Sequence, residues 1–208
     1  MRYLYIDTSS SFLYSAITED DKVLSEVKEE YGQSLSEVAL PKIVEMFNKN
    51  KLTAKDIDKI IVVNGPGSFT GIRIGITIAK VYAWSLNIPI TTISSLEAMA
   101  LSSEKKTNHI PIINARRGYV FGAIYDQNLN EILKPQHIKL EDLMKEVKKL
   151  DKYEFISNDE FEEELKLESY NPNILKIVSH FKDKESINPH SVNPEYLKKT
   201  AAEEHVNG

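Results

Sequence analysis

The feature that most constrains the fold is a short aliphatic strand that runs directly into a glycine-rich turn and then into a long apolar helix. Ile60–Val63 is the strand, residues 64–68 form the turn, and the helix extends to about Leu86. A continuous aliphatic run of this kind is typical of a strand that is covered on both faces. The junction therefore predicts an α/β fold in which helices cover a sheet.

One order of elements, three strands followed by a helix, a strand and a helix, is predicted twice along the 208 residues. The first half gives strands at 3–6, 11–18, 22–28, 60–63 and 89–93, with helices at 34–48, 68–86 and 95–101. The second half gives strands at 110–113, 120–125, 132–138 and 153–157, helices at 140–150 and 160–167, and an apolar run of undecided type at 174–178. The polar stretch 102–108 then separates two predicted lobes, 1–103 and 104–208, built from mixed sheets with flanking helices.

Composition excludes several classes of function. The chain has no Cys, which removes disulfides, thiolate nucleophiles and sulfur-based zinc sites. Its 26 Lys and Arg against 31 Asp and Glu leave a formal charge of −5, so no general basic excess favours nucleic-acid binding. No apolar run approaches the roughly 18 residues of a membrane helix, and the first residues lack the pattern of a signal peptide. We expect a soluble, cytoplasmic protein without a membrane association.

Two interpretations of the glycine-rich turn remain open. Backbone amides of Gly65, Gly67 and Ser68 at a helix N-terminus suit a phosphate or another anion. Alternatively, the turn is a tight connection whose glycines allow close packing, since the spacing matches neither a P-loop nor a dinucleotide-binding fingerprint. Asp7, at the end of the first strand, likewise fits either a magnesium–phosphate site or an Asx turn.

The helix 68–86 carries two apolar stripes, although a helix that covers one sheet needs only one. One stripe contains Ile72, Ile76, Ala79, Ala83 and Leu86, the other contains Ile74, Ile78 and Val81, and a polar seam with Arg73, Thr77 and Lys80 lies between them. The second stripe is covered either by the chain's own domain or by a partner, and both remain open. The predicted helix 34–48 would be its neighbour. That helix begins with a capping-box pattern, Ser34 and Glu37, and carries a stripe of Leu40, Ile43, Val44 and Phe47.

A second candidate site is the turn Asn114–Gly118, which contains the adjacent cations Arg116 and Arg117. Such a pair suits a phosphate or an acidic partner. Paired arginines in an exposed turn are also ordinary, so the turn has a plain structural interpretation as well.

Four segments together resemble the TsaB family, also called YeaZ, whose members are accessory subunits for threonylcarbamoylation of tRNA adenosine. They are Leu4–Ser9, Asn64–Gly75, Ile93–Ala98 and Ala115–Gly118, of which the glycine-rich segment is highly specific. The resemblance implies an actin-like, duplicated ribonuclease-H-like fold. This chain departs from the family at two positions. Asn114 stands where the family usually has Asp, and the His that the family commonly carries near Gln33 and Ser34 is absent.

The resemblance also implies a function. It predicts a non-catalytic scaffold that dimerises with the catalytic paralogue TsaD and works with the ATPase TsaE in N6-threonylcarbamoylation of adenosine 37 of tRNA. Such a subunit would form a homodimer when alone, meet tRNA only in the assembled complex and have no intrinsic cofactor, with ATP or ADP at the complex interface. The expected partner-binding residues are Val44, Phe47, Ile72, Arg73, Ile76, Thr77 and Lys80.

The catalytic paralogue holds a metal ion through a His-x-x-x-His pair. When residues 93–99 are aligned with that segment, Ser95 and Met99 occupy the two histidine positions. A hydroxyl and a thioether do not replace two imidazoles on a hard or borderline cation, so we expect neither the metal site nor the transferase chemistry.

Two enzymatic alternatives compete with this scaffold. The first is an actin-like phosphotransferase or ATPase that uses Asp7 and the Gly65–Gly71 loop around a nucleotide. A glycoprotease, the older label of the superfamily, ranks last because the chain has no Cys, no serine elbow and no paired-His zinc site.

Overall fold

The structure, a computed structural model, describes residues 1–198 and contains two five-stranded mixed sheets. The first sheet has β1 (Arg2–Asp7), β2 (Phe12–Glu19), β3 (Lys22–Glu30), β4 (Lys59–Gly65) and β5 (Ile90–Ser94), in the order β3-β2-β1-β4-β5. The second has β6 (Asn108–Asn114), β7 (Tyr119–Tyr125), β8 (Glu131–Lys139), β9 (Tyr153–Ile156) and β10 (Leu167–Glu168), in the order β10-β9-β6-β7-β8. In each sheet three antiparallel strands are followed by two strands parallel to the first. This repeated topology confirms the predicted duplicated fold.

Across the described residues, five α-helices and the two sheets form alternating layers. The helices are α1 (Leu35–Lys49), α2 (Phe69–Leu86), α3 (Ser95–Ser102), α4 (Leu140–Val147) and α5 (Ile174–Phe181). One core lies between the first sheet and α1 with α2, and a second lies on the opposite face of that sheet, against α3 and α5. The other side of α3 packs on the second sheet, whose far face is covered by α4. Within residues 1–198, no helix combines the length and the apolar character needed to cross a bilayer.

The second repeat lacks a counterpart of α2. The predicted helix 160–167 is wrong, because residues 157–166 form an irregular connection between β9 and β10. A run of acidic residues favours a helix only if an apolar stripe anchors it. Here Phe161 and Leu165 pack singly against the core under α4, and the Glu160 carbonyl accepts a hydrogen bond from the Asn114 side chain at 2.6 Å.

Two expectations about α1 are wrong in detail. Ser34 makes no side-chain capping bond to the helix, because its hydroxyl donates to the Tyr31 carbonyl at 2.8 Å. Leu40 and Val44, which the sequence places on one stripe with Ile43 and Phe47, are exposed, whereas the other two are buried. The buried side of α1 instead contains Leu35, Ala39, Ile43, Met46 and Phe47.

The chain returns to the first sheet after β10. The apolar run of undecided type is the helix α5, which packs on the first sheet and not on the second. The buried Lys59 ammonium of β4 donates to the carbonyl oxygens of Phe181 and Lys182 at 3.1 and 3.2 Å, where it complements the C-terminal end of α5. The division into lobes 1–103 and 104–208 stays a prediction, but α5 and the segment after it contact the first lobe; residues 199–208 lie outside the described residues.

Candidate functional site at the glycine loop and the outer helices

Asp7 ends β1 as a buried carboxylate that is held by its own turn. Its Oδ1 accepts hydrogen bonds from the Ser9 amide at 2.8 Å and from the Ser9 hydroxyl at 2.7 Å, and its Oδ2 accepts from the Tyr5 hydroxyl at 3.4 Å. Burial raises the pKa of the Asp7 carboxyl above its ordinary value of 3.8, and the bonds from Ser9 and Tyr5 partly offset this effect because they favour the charged form. Both carboxylate oxygens are therefore engaged within the chain, in the geometry of an Asx turn.

The glycine loop between β4 and α2 closes onto that turn. The Ser68 amide donates to the Ser9 carbonyl at 2.7 Å, and the Ser95 hydroxyl of α3 donates to the Pro66 carbonyl at 2.5 Å. The Ser68 hydroxyl caps α2 by accepting from the Gly71 amide at 3.2 Å. The amides of Ser68 and Gly71, at the N-terminus of α2, thus already bind oxygens of the chain itself.

Glycine is required where this loop touches the end of β1. A Cβ atom added to Gly71 would lie 2.0 Å from the Thr8 carbonyl oxygen. At Gly67, whose φ is +152°, it would lie 2.2 Å from the Ser9 carbonyl oxygen. Only glycine permits this approach and this backbone conformation. The contacts favour the close-packing interpretation, and anion binding by Gly65, Gly67 and Ser68 with Asp7 stays a prediction.

A cleft of about 790 Å³ opens beside the loop, between the two sheets. Its wall includes Ser9, Ser68, Ser95, Asn114, Phe121, Asn158, Asp159 and Tyr170. Burial raises the pKa of the Asp159 carboxyl above its ordinary value. This carboxyl accepts a hydrogen bond from the backbone amide of Asn114 at 2.7 Å. Among the described residues that line the cleft, the one cation is Lys28, and it is ion-paired with Glu26 at 3.2 Å. The polar part of the wall is therefore mostly hydroxyl and amide groups, which alternate with aromatic and aliphatic side chains.

The two positions that the resemblance aligns with metal-binding histidines are occupied by buried groups of α3. The Ser95 hydroxyl is the donor that holds the glycine loop, and Met99 packs with Leu96 and Ala123 between α3 and the second sheet. These residues do not fit a hard or borderline cation. Across residues 1–198, no group of three or more His, Asp or Glu side chains is arranged to hold a metal ion.

The seven predicted partner-binding residues fall into two sets. Phe47, Ile72 and Ile76 are buried in the core between the first sheet and its outer helices, so their assignment to a partner surface is wrong. They belong to the stripes that cover the sheet, which a partner cannot reach. The other four are accessible: Val44, Arg73, Thr77 and Lys80.

Two of these accessible residues contact the C-terminal segment that follows α5. The Lys80 ammonium donates to the carbonyl oxygens of His190 and Val192 at 3.2 and 2.9 Å. The Arg73 guanidinium donates to the Tyr196 hydroxyl at 2.9 Å. The polar seam of α2 therefore fastens the chain's own C-terminal segment along one flank of the helix.

Large apolar side chains are exposed on the outer side of α1 and α2, where the Trp84 ring also meets the His190 ring of the C-terminal segment edge to face at 5.9 Å. Leu40 and Val44 of α1 are 45% and 41% exposed, and Val81 and Trp84 of α2 are 55% and 67% exposed. We call these four residues the α1–α2 surface. The sequence indicated Val44 alone as a partner-binding residue among them. The second apolar stripe of α2 was the signal for Val81 and the stripe of α1 was the signal for Leu40, whereas Trp84 lies in the same row as the polar seam.

The helices α1 and α2 present this surface together. The Phe47 and Tyr82 rings meet edge to face between the two helices, with centroids 6.2 Å apart. Ile74 and Ile78 are only half-buried against the core on the same flank of α2. The second stripe predicted from the sequence is thus left partly open by the chain itself.

The two repeated mixed sheets and their flanking helices define an actin-like fold. A family model described as "TsaD: tRNA N6-adenosine threonylcarbamoyltransferase" matches residues 22–171. The tRNA threonylcarbamoyladenosine biosynthesis protein TsaB of Bacillus subtilis is 33% identical over 98% of this chain and 96% of its own length. The TsaB of Escherichia coli is 33% identical over 64% of this chain and 58% of its own length. The chain belongs to the TsaB family.

Solved structures agree with the fold. A protein of Pseudomonas aeruginosa described as similar to the peptidase YeaZ superposes with a TM-score of 0.76, covering 95% of this chain and 99% of that one at 17% identity. YeaZ from Pseudomonas aeruginosa gives a TM-score of 0.73 at 18% identity, covering 94% of this chain and 99% of that one. At these identities the comparison shows the shared architecture alone.

Proposed function

We propose that the chain is a non-catalytic subunit in the synthesis of N6-threonylcarbamoyladenosine at position 37 of tRNA, and that it dimerises with the catalytic paralogue TsaD. The general role follows from its family, whose relatives are named as tRNA threonylcarbamoyladenosine biosynthesis proteins. The pairing with TsaD and the cooperation with the ATPase TsaE are the specific parts of the proposal.

The observation that carries the pairing is the α1–α2 surface. Its aliphatic residues lie on the outside of a core that is already complete, and Trp84 stays 67% exposed although its ring meets His190, so packing of the core does not account for them. Large apolar side chains of this kind, tryptophan above all, supply the central contacts of protein interfaces. A paralogue with the same fold would present an equivalent helix pair, and two such pairs would pack around a pseudo-two-fold axis. The same geometry predicts a homodimer when the paralogue is absent.

The buried groups of α3 support the non-catalytic part. Ser95 is committed to the Pro66 carbonyl and Met99 to the core, so neither is a ligand for the ion that the paralogue's histidines hold. Asp7, the residue on which a phosphotransferase would depend, has both oxygens engaged by Ser9 and Tyr5.

We further propose that ATP or ADP binds at the interface of the complex and not within this chain. The phosphate oxygens of a nucleoside triphosphate need several hydrogen-bond donors from cationic side chains or amides. Lys28 is the one cation on the described cleft wall and is already paired. Titration calorimetry with magnesium–ATP is expected to give heat for the complex and none for the subunit alone; micromolar binding by the subunit would contradict this.

The pairing is tested with two variants that place a charge on the α1–α2 surface, Val44→Glu and Val81→Glu. Each is expected to weaken binding to TsaD at least tenfold, because a carboxylate must be desolvated at an apolar contact. Light scattering after size-exclusion chromatography measures the mass of the complex, and calorimetry measures its affinity. Both sites are exposed, so folding is expected to be unaffected, which circular dichroism checks.

The matched control is Ile132→Glu, at an aliphatic residue of β8 that is 51% exposed and lies on the other sheet. It is expected to leave the complex intact. A heterodimer of unchanged mass and affinity in all three variants would show that the helices α1 and α2 do not form the interface.

A further inference from the structure

The turn between β6 and β7 carries two of the chain's four arginines, and they differ from the other two. Arg2 is ion-paired with Glu19 at 2.7 Å, and Arg73 is bonded to the C-terminal segment. Within residues 1–198, the side chains of Arg116 and Arg117 are exposed and make no hydrogen bond, ion pair or ring contact. Two adjacent guanidinium groups therefore point into solvent with all their donors available.

The backbone of this turn gives no internal reason for arginine. Arg116, Arg117 and Gly118 have φ values of +67°, +55° and +74°, and the Tyr119 amide donates to the Arg116 carbonyl at 3.1 Å to close the turn. Glycine and asparagine adopt this left-handed conformation readily, whereas arginine does not. Since both side chains are exposed and make no polar contact with the described residues, a contact outside the chain would account for both arginines.

A stack of rings lies next to the turn, on one face of β7 and β8. The Tyr119 ring and the His137 ring are parallel within 8° at 4.7 Å, and the Phe121 ring lies 5.4 Å from His137. Phe121 and His137 are directly opposed across the two strands, and Phe121 also forms part of the cleft wall. All three rings are half-buried, and they lie on the face opposite to the core under α4.

We propose that this turn and ring stack form an RNA-binding site, at which the two guanidinium groups contact phosphates and the rings stack on an unpaired base. Adjacent arginines bind phosphate oxygens in bidentate fashion, and aromatic rings beside a cationic group are the usual platform for single-stranded bases. The inference rests on the proposed function, in which the RNA is the tRNA substrate of the complex. With a net charge of −5, the chain would offer this local contact and not a broad basic surface.

Two carboxylates set the strength of the site. Glu162 and Glu163 line the same pocket as Arg116 and Arg117. Neither carboxylate lies within ion-pair distance of either guanidinium group. They lower the local positive potential and repel phosphate. Their removal is therefore expected to change RNA affinity in the direction opposite to removal of the arginines.

The experiment is a filter-binding titration of an unmodified tRNA transcript, with the subunit alone and with its complex with TsaD, between 50 and 300 mM salt. The double variant Arg116→Ala/Arg117→Ala is expected to bind about tenfold more weakly in the complex. Its slope of log affinity against log salt should fall by about 1.5, since each phosphate contact contributes roughly 0.7 to 0.9. Arg116→Lys/Arg117→Lys, which keeps the charge, should keep most of the slope.

Two further variants calibrate the result. Lys145→Ala/Lys149→Ala removes the same charge from the same lobe, at lysines ion-paired with Asp142 and Glu146, and is expected to leave the affinity unchanged. Glu162→Gln/Glu163→Gln is expected to strengthen binding about threefold. Circular dichroism verifies that every variant is folded.

The outcomes separate this inference from the proposed function. If the complex forms and the arginine variant binds tRNA as the native chain does, the RNA site is refuted while the pairing with TsaD stands. If the arginine variant instead loses the complex, the turn binds an acidic surface of a protein and the inference is again refuted. If no complex forms with any chain, the proposed function fails, and the titration of the subunit alone at 50 mM salt decides the RNA site by the same comparison.

Discussion

The turn after β1 and the turn after β6 occupy equivalent positions in the two repeats, yet they differ in almost every physical respect. In the first, Asp7 is buried and both its oxygens accept hydrogen bonds from neighbouring residues. In the second, Asn114 stands at the corresponding end of β6, and the two arginines that follow it are exposed and unpaired within the described chain.

The difference follows from what comes after the fourth strand of each repeat. After β4, the glycine loop and α2 fold over the first turn, with Gly71 against the Thr8 carbonyl. After β9, the irregular segment 157–166 reaches the second turn only at Asn114, through Asp159 and the Glu160 carbonyl. A duplicated fold can therefore keep one turn as a packing element and leave the other open for binding. The conspicuous glycine motif marks the closed turn, and the open turn has the weaker signal.

The largest expected effect is that of Gly71→Ala, which tests whether the first turn is closed by contact. The added methyl group would overlap the Thr8 carbonyl oxygen, with no flexible side chain to yield. We expect a loss of more than about 3 kcal/mol in the free energy of unfolding, measured by urea denaturation.

The matched control for this variant is Gly118→Ala in the second turn. A Cβ there meets open space and only the positive φ opposes it, so a loss of about 1 to 2 kcal/mol is expected. Equal losses in the two variants would mean that the first turn is no more closely packed than the second.

Asn114→Asp tests the side-chain amide that ties the second turn to the irregular segment. The variant loses the amide that donates to the Glu160 carbonyl, and it places a carboxylate beside Asp159, which accepts the backbone amide of the same residue. We expect destabilisation of about 1 to 3 kcal/mol at pH 7 by chemical denaturation. Asn108→Asp, which loses a similar bond to the Lys152 carbonyl at the other end of β6, is expected to cost about 1 kcal/mol. A neutral result for Asn114→Asp would show that the irregular segment does not hold the second turn.

Much of the fold could be predicted from local signals. The aliphatic run Ile60–Val63 predicts β4, and the neighbouring strands predicted at 11–18 and 22–28 predict the β2–β3 hairpin. Both predictions use apolar patterns within a single strand, which follow directly from which faces of the strand are buried. The helix expected at 160–167 failed because helical propensity in a run of Glu residues carries no information about whether a packing surface exists for it. α5 was undecided for the same reason, since a short apolar run fits a strand or a helix until its contacts are known.

The site was less predictable than the fold. Periodicity identified two apolar stripes on α2, but it could not say which stripe faces the sheet, so Ile72 and Ile76 were placed on the partner surface. The seam residues Arg73 and Lys80 are polar because they hold the C-terminal segment more than 100 positions away, a contact that no local pattern encodes. The glycines showed that something approaches the loop closely, and only the structure identifies it as the end of β1.

Asp7→Asn tests whether the closed turn needs a charge. Asparagine keeps an oxygen for the Ser9 donors while removing a buried carboxylate, so at pH 7 the stability should change by less than about 1 kcal/mol. Because burial raises the folded-state pKa above the ordinary 3.8, the folded state binds the proton more tightly than the unfolded chain does. The stability of the native chain relative to the variant should therefore be highest below pH 3.8 and fall as pH rises through the folded-state pKa. A relative stability that rises with pH would mean that the hydrogen bonds, and not burial, dominate at Asp7.

Arg117→Asn has the smallest expected effect, and it asks what the open turn is for. Asparagine adopts a φ near +55° more easily than arginine does, and the Arg117 side chain has no hydrogen bond or ion pair with residues 1–198 to lose, so a gain of about 0.5 kcal/mol in the free energy of unfolding is expected. Lys148→Asn, at an exposed lysine with the helical φ of −61°, is the control and should give no gain. If the variant is more stable but binds tRNA more weakly in the complex, arginine is kept at this position for binding at the expense of stability. If stability falls instead, the arginine side chain stabilises the turn itself. The second turn would then be a packing element like the first, and not an open turn that is available for binding.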